Sequence, residues 1–492
     1  MSEENKNMTN DNEEPEKVIS DGSESVTSSD RCDPSEHACE PADDLPSRKP
    51  KKLSLSTFIC SAVALVLAAV MLTYTVCNSF YKKELADAKL NGAQNVTIET
   101  AGKYDALEIL ELIFDNYTFQ ELDDEKIMTA VMKAYVDATG DKHAEYFTQE
   151  EYDDFMDSIA GSSVGVGVSV INDFVTINSV EYNTIKIIQI FKDSPASNSE
   201  LKVGDRVAWI VNGDEIESVS ELGYTAALNK LRGEAGTKAE FKVIRQDENG
   251  EYSIKDISIV REKYEVESVE GKKIENTDIG YVKIDSFDIT TPRQFTEVMD
   301  SLIESGCTRF VYDVRNNPGG EIRSIVAVMS FFLEKGKTVV TTETVNGYKQ
   351  IYKVQEIDFT DTEYEPCTVT EVDIGKYAQY EKVVLCNENT ASAAELLVSN
   401  FRDHKLGTVI GVTTYGKGVA QNTMPLSIFG IDGYLKYTSK IYYPPCGENY
   451  DGIGVTPDIE SKLSDEALQY SLYELPIDKD DQLQKAIECL NK

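Results

Sequence analysis

Val383-Val384-Leu385-Cys386-Asn387-Glu388-Asn389-Thr390-Ala391-Ser392-Ala393-Ala394-Glu395 runs from an apolar stretch through a polar turn into small residues. The spacing predicts a strand over Lys382–Leu385 and a helix over Ser392–Phe401. The same alternation surrounds it: a strand over Ile279–Ile284, a helix over Pro292–Glu304, a strand over Thr308–Val314 and a helix over Glu321–Leu333. Strands alternating with helices argue for an α/β class with a mainly parallel sheet.

Ser392 stands between alanines at a helix start, and Lys417 follows it by 25 residues in the glycine-flanked turn Tyr415-Gly416-Lys417-Gly418. A free hydroxyl is a poor nucleophile near neutral pH and needs a neighbour to take its proton. Lys417 does this only when neutral, so its ordinary pKa near 10.4 has to fall through burial. Gln421, four residues on, could orient the amine. The N–H groups at a helix start are unpaired and carry the positive end of the helix dipole. The Ala393 N–H could therefore serve an oxyanion, with a second donor from Gly319 or Gly320 in the turn Asp313-Val314-Arg315-Asn316-Asn317-Pro318-Gly319-Gly320. Glycine lets backbone approach a reacting carbonyl closely. A serine, a lysine and donors in this layout are those of a hydrolase. His404 lies 12 residues beyond Ser392 on the same predicted helix, about 18 Å along its axis, too far to be the base. His143, in Gly140-Asp141-Lys142-His143, remains a second candidate.

Composition narrows the alternatives. A net charge of −38 repels nucleic acid and anionic lipid. The nine cysteines include no Cys-x-x-Cys pair and the three histidines are scattered, so neither a metal site, a disulfide framework nor any cofactor is implied. At 492 residues more than one domain is expected.

Residues 1–52 are rich in Glu, Asp, Ser, Asn and Pro and nearly free of large apolar residues, which predicts a disordered acidic tail. Residues 53–77 are almost continuously apolar and uncharged, long enough as a helix to cross a hydrocarbon core of about 30 Å. Arg48, Lys49, Lys51 and Lys52 before it, against Lys82 and Lys83 after it, place the N-terminus in the cytoplasm. The expectation is an uncleaved single-pass anchor in the cell membrane, with the rest of the chain outside. Residues 78–160 read as a juxtamembrane segment and a small helical cap, with helices over Tyr104–Phe114 and Glu125–Ala138. From 161 to 262 the pattern becomes short strands with Gly-Asp and Asn-Gly turns, and one helix over Ser220–Leu231. Residues 263–492 form the α/β core and end in a helix over Asp480–Leu490.

Four segments, in order, resemble the C-terminal processing peptidases, or tail-specific proteases: 313–320, 387–395, 414–421 and Gly452-Ile453-Gly454-Val455-Thr456-Pro457-Asp458. The resemblance runs from about Tyr104 onward. It implies a ClpP/crotonase-like core and a serine endopeptidase with Ser392 as nucleophile, Lys417 as general base and Gln421 as orienter. In the related tricorn-like peptidases a histidine is the base, which keeps His143 in view. The family also carries a PDZ domain, and 161–262 is similar to one at Asp193-Ser194-Pro195-Ala196, Leu201-Lys202-Val203-Gly204-Asp205, Val211-Asn212-Gly213 and Leu231-Arg232-Gly233-Glu234-Ala235-Gly236-Thr237. Such domains hold a free C-terminus as an added strand, here near Val164-Gly165-Val166-Gly167-Val168. Protein substrates bearing free C-termini are the implied partners, and Arg232 is the candidate for coupling the two regions. Two sites depart from the family pattern. Ser199-Glu200 stands where Ala-Gly is usual, and Thr390 where serine is usual. The helical cap and the last helix are the segments a homodimer would use.

Overall fold

The structure is a computed structural model and describes residues 122–357 and 368–492, with isolated helical positions at Leu107, Leu110 and Phe114. The acidic tail, the apolar span over 53–77 and most of the helix expected over Tyr104–Phe114 lie outside the described residues. Among the described residues, no helix is long and apolar enough to cross a membrane. The chain divides into compact units over 1–113 and 114–492, and every element below belongs to the second.

The first helix, α1 (Asp124–Ala138), starts at Asp123, whose carboxylate accepts the Lys126 N–H at 3.1 Å. Strand β1 (Glu145–Phe147) follows, then α2 (Gln149–Ile159). A reciprocal cap opens α2: Glu151 N–H donates to Thr148 Oγ1 at 3.3 Å and Thr148 N–H to Glu151 Oε2 at 3.0 Å. Two backbone donors that a helix start leaves open are satisfied in this way.

Strand β2 (Ser162–Gly165) enters the next region and pairs antiparallel with its exit strand β9 (Glu262–Glu265). Between them β3 (Val168–Ile177), β4 (Val180–Ile190), β5 (Arg206–Asn212), β6 (Glu215–Ser218), β7 (Lys238–Gln246) and β8 (Tyr252–Val260) form an antiparallel sheet in the order β3-β4-β5-β7-β8, with β6 on β5. Ile185, Ile187, Val207, Val243 and Ala227 form its own core. The helix expected over Ser220–Leu231 is two, α3 (Val219–Leu222) and α4 (Tyr224–Leu231). Gly223 breaks it with φ 80° and ψ 156°, a conformation helices exclude and glycine tolerates. The apolar run Val164–Ile171 is likewise divided between β2 and β3, because Val166 and Gly167 turn away: their carbonyls accept from Ala196 and Phe191 at 2.8 and 3.1 Å.

The remaining chain builds two sheets around buried helices. Strands β10 (Val269–Lys273), β11 (Ile279–Ile284), β12 (Arg309–Asp313), β15 (Glu381–Cys386), β16 (Thr408–Gly411) and β19 (Ile459–Glu460) line up in that order. All pairs are parallel except β10 with β11. Parallel strands need crossovers on their faces. α5 (Thr291–Glu304), α6 (Ile322–Ser330) and α7 (Ala393–Asp403) supply them on one face, and α8 (Asp481–Leu490) covers the other through Leu483, Ala486 and Leu490. The antiparallel sheet beyond the helices joins β1, β18 (Tyr434–Tyr443), β13 (Thr338–Thr344) and β14 (Lys349–Lys353), with β17 (Val419–Pro425) on β18. With sheets on both sides, α7 is buried from Ala393 through Phe401, with the polar Glu395, Ser399 and Asn400 included. The carboxyl ends of β12, β15 and β16 lead into the turns 314–321, 387–392 and 412–418, the edge where open α/β sheets gather ligand-binding groups.

Candidate active site

The turn after β15 is tied to the turn after β12. Thr390 Oγ1 donates to the Val314 carbonyl at 2.8 Å, the Ala391 N–H to the Asn317 carbonyl at 2.9 Å, and the Asn316 N–H to Asn387 Oδ1 at 2.9 Å. Ser392 then takes φ 55° and ψ −119° at the cap of α7 and is buried. A side-chain-bearing residue held there costs about 1–3 kcal/mol and persists only where its surroundings fix it. Gly319 is one of those surroundings. A Cβ on it would lie 2.6 Å from Ser392 Cβ and 2.9 Å from the Ala393 nitrogen, so only glycine lets the two turns close.

The candidate oxyanion donors separate here. The Gly319 N–H is already engaged, donating to Asn317 Oδ1 at 2.8 Å, so Gly319 acts by close approach. Gly320 bridges Phe287, with its neighbours making the backbone bonds: Phe287 N–H to Gly319 O at 2.9 Å and Glu321 N–H to Phe287 O at 2.6 Å. Among the described residues the N–H groups of Gly320 and Ala393 have no hydrogen-bond partner.

Glu395 joins the serine to the lysine. Its buried carboxylate accepts the Ser392 N–H at 2.8 Å, the Lys417 N–H at 2.8 Å, the Gly416 N–H at 2.7 Å and Thr414 Oγ1 at 2.6 Å. Burial pushes its pKa above the carboxylate range, while these four donors pull it down. Val455 N–H donates to Thr414 Oγ1 at 2.7 Å, and a Cβ on Gly416 would lie 2.8 Å from the Gly454 nitrogen. The fourth motif thus packs directly on the lysine turn.

Ser392, Lys417 and Gln421 line one cavity of about 570 Å³, together with Gly320 and Tyr442. Lys417 is half-buried, and its ammonium has no ion-pair or hydrogen-bond partner among the described residues. Burial, and then the Lys436 charge, hold its pKa below the ordinary lysine value, with Glu395 opposing. Gln421 donates from Nε2 to Thr438 Oγ1 at 3.2 Å, and Thr438 in turn donates to Asp141 Oδ1 at 2.9 Å. This leaves Gln421 Oε1 as the free acceptor. A one-residue bulge between Ala420 and Gln421 in the β17–β18 pairing sets its position. Tyr442, buried on β18, lines the same cavity wall as Ser392, and burial pushes the pKa of its hydroxyl up.

The other candidates fall elsewhere. His143 is not among the residues lining the cavity; its Nε2 is buried without a partner, and burial followed by the charge on nearby Lys417 lowers its pKa. His404 caps the far end of α7 and its Nε2 pairs with the Thr338 carbonyl at 2.9 Å. Arg232 is exposed at the end of α4 and makes no ion pair among the described residues. Val164 and Gly165 are held in β2, and Val168 opens β3. No group of three or more His, Cys, Asp or Glu could hold a metal ion among the described residues.

Sequence reasoning missed three contributors. Glu395 could have been found, since Ser392 and Glu395 carry the Ser-x-x-Glu capping spacing. Tyr442 carries no local signal, because strand pairing brings it in from 50 residues away. The third is the brace beneath the donor turn. Arg315, itself buried, donates to Asp313 and through both terminal nitrogens to Asp480, at 2.9 and 2.7 Å, and Lys283 Nζ donates to the Arg315 carbonyl at 2.5 Å.

Residues 278–461 match peptidase family S41. The chain is 30% identical over 367 residues to the carboxy-terminal processing protease CtpA of Bacillus subtilis, covering 74% of this chain and 70% of that one. It is 29% identical over 344 residues to a carboxy-terminal-processing protease of Bartonella bacilliformis, covering 68% and 70%. Among solved structures, an S41 protease of Bacteroides fragilis superposes with a TM-score of 0.51 at 14% identity, over 78% of this chain and 97% of that one, a likeness of fold. On these matches the chain belongs to peptidase family S41, among the carboxy-terminal processing proteases.

Proposed function

We propose that the protein is a membrane-anchored serine endopeptidase that cuts protein tails with a Ser392–Lys417 pair. The observation that carries this reading is the shared cavity: a strained serine at a helix start, a half-buried lysine without a partner, and two open N–H groups beside them. Neutral Lys417 takes the Ser392 proton as Oγ attacks the substrate carbonyl. The oxyanion is held by the Gly320 and Ala393 N–H groups, worth about 10²–10³ in kcat for one such donor. The Lys417 ammonium, steadied by Gln421 Oε1, gives its proton to the leaving amine. Water deprotonated by Lys417 then releases the acyl group from Ser392.

In the same reading residues 161–262 are a PDZ domain that grips a free C-terminus near Val164–Val168 and signals through Arg232. Residues 53–77 hold the enzyme in the cell membrane with the catalytic part outside, and two copies pair through the cap and α8. Purified protein is expected to be labelled at Ser392 by a fluorophosphonate and to cut peptides with a free C-terminus faster than their amidated forms. A protein neither labelled nor active would overturn the peptidase reading; equal rates on both peptides would overturn tail recognition only.

The charge on Lys436 has a measurable consequence. It disfavours the protonated form of Lys417, so the active neutral amine appears at lower pH. Lys436→Met removes that charge and strands Glu145, its partner at 2.6 Å. Both changes raise the Lys417 pKa. The rising limb of kcat/KM against pH is expected to move upward, lowering activity at neutral pH, while Lys436→Arg leaves it in place.

A further inference from the structure

The cavity at Ser392 is charged against the grain of the molecule. The chain carries 86 Asp and Glu against 48 Lys and Arg. The cavity is lined by Arg323, Lys417, Lys436 and Lys440, with Glu321 the one acidic residue in its wall among the described residues. Walls that exclude water focus such a field on whatever enters.

The four cations are not equivalent. Arg323 lies against Glu321 at 3.3 Å, and Lys436 is paired with Glu145 and stacked over the Phe147 ring. Lys417 is neutral when it acts as a base. Lys440 alone keeps a cation with no ion-pair or hydrogen-bond partner among the described residues. It stands in β18 between Ala420 of β17 and Thr344 of β13, two residues before Tyr442. Residues two apart on a strand share a face and lie about 7 Å apart. Lys440 is therefore displaced by about that distance from Tyr442, which shares the cavity wall with Ser392. An extended substrate advances about 3.3 Å per residue, so about two residues of substrate span the same gap.

We propose that Lys440 is a specificity-determining residue, and that the cavity selects polypeptides bearing a carboxylate about two residues from the bond that is cut. This rests on the Ser392–Lys417 reading and names the substrate class it serves. An aspartate or glutamate side chain and the free end of a chain present the same anion. Either pairs with the Lys440 ammonium when the substrate displaces water from the cavity, and a lysine at that place is repelled.

The test uses the full-length protein and quenched peptides that carry Glu, Gln or Lys at each of the three positions on either side of the cut, with free or amidated ends. The wild-type protein is expected to favour Glu over Gln by about ten- to a hundredfold in kcat/KM at one position, in line with one charge-assisted hydrogen bond. Lys440→Gln is expected to level that ratio, and Lys440→Glu to invert it in favour of Lys. If the preference follows the free end and not the side chain, amidation removes it. The same ranking is read as peptide affinity in Ser392→Ala, so it is available whether or not a peptide is cut. A Glu-to-Gln ratio unchanged in Lys440→Glu overturns the inference. Failure of the underlying reading is distinct: no peptide is cut and Ser392 is not labelled.

Discussion

Lys417→Ala is expected to lower kcat by about 10²–10⁴, the range that a positioned general base supplies, while His143→Ala lowers it by less than about tenfold. The asymmetry follows from placement. Lys417 lines the same cavity as Ser392 and its amine has no competing partner, whereas His143 does not line that cavity. Burial, and then the charge on Lys417, lower the His143 pKa. Single-turnover rates on one peptide, measured across pH, separate the two roles. A loss in His143→Ala as deep as that in Lys417→Ala would transfer the base to the histidine, whose buried Nε2 lacks a partner.

The second large effect is expected at Glu395, a buried residue that does not line the cavity. One carboxylate holds the backbone of Ser392 and the backbone of Lys417 in register, through four hydrogen bonds of 2.6–2.8 Å. Glu395→Ala leaves three N–H groups and a hydroxyl without their acceptor, each at about 1–3 kcal/mol when no water replaces it. Stability is expected to fall by roughly 3–5 kcal/mol, visible in urea unfolding. Glu395→Gln is the sharper probe. It keeps the shape, but whichever way its amide lies an NH₂ meets at least one backbone N–H donor. Most of the loss should then appear in kcat with little change in KM, because the pair is misplaced and the peptide groove is not. Equal loss in both constants would reduce Glu395 to a packing residue.

The parallel core was legible because its signals are local. The apolar run at 383–385, the polar turn and the small residues after it mark β15 and α7 within two residues of their observed ends. The same signals put Ser392 at a helix start and Lys417 in a turn. What the sequence hid depends on chain returning from far away. The antiparallel sheet was not expected: Lys349–Lys353 and Tyr434–Tyr443 mix charged and aromatic residues with little periodicity, and Glu145 finds Lys436 across 291 positions. That sheet supplies Tyr442 and Lys440 to the cavity. The choice between Gly319 and Gly320 was hidden for another reason. It turns on the Asn317 side chain folding back onto the Gly319 N–H, a rotamer that no residue pattern announces.

The brace under the donor turn gives the molecule a remote dependency. Asp480 starts α8 by accepting the Leu483 N–H at 3.0 Å, and the same carboxylate grips Arg315, five residues before Gly320. Peeling α8 from the sheet would take Asp480 and Gln482 from the buried Arg315 guanidinium and leave Asp313 as its acid partner, a costly change for a charge held away from water. Loosening at the far side of the sheet would therefore reach the turn that carries Gly320. Destabilising the last helix is expected to loosen the 314–320 turn as well, because one carboxylate serves both.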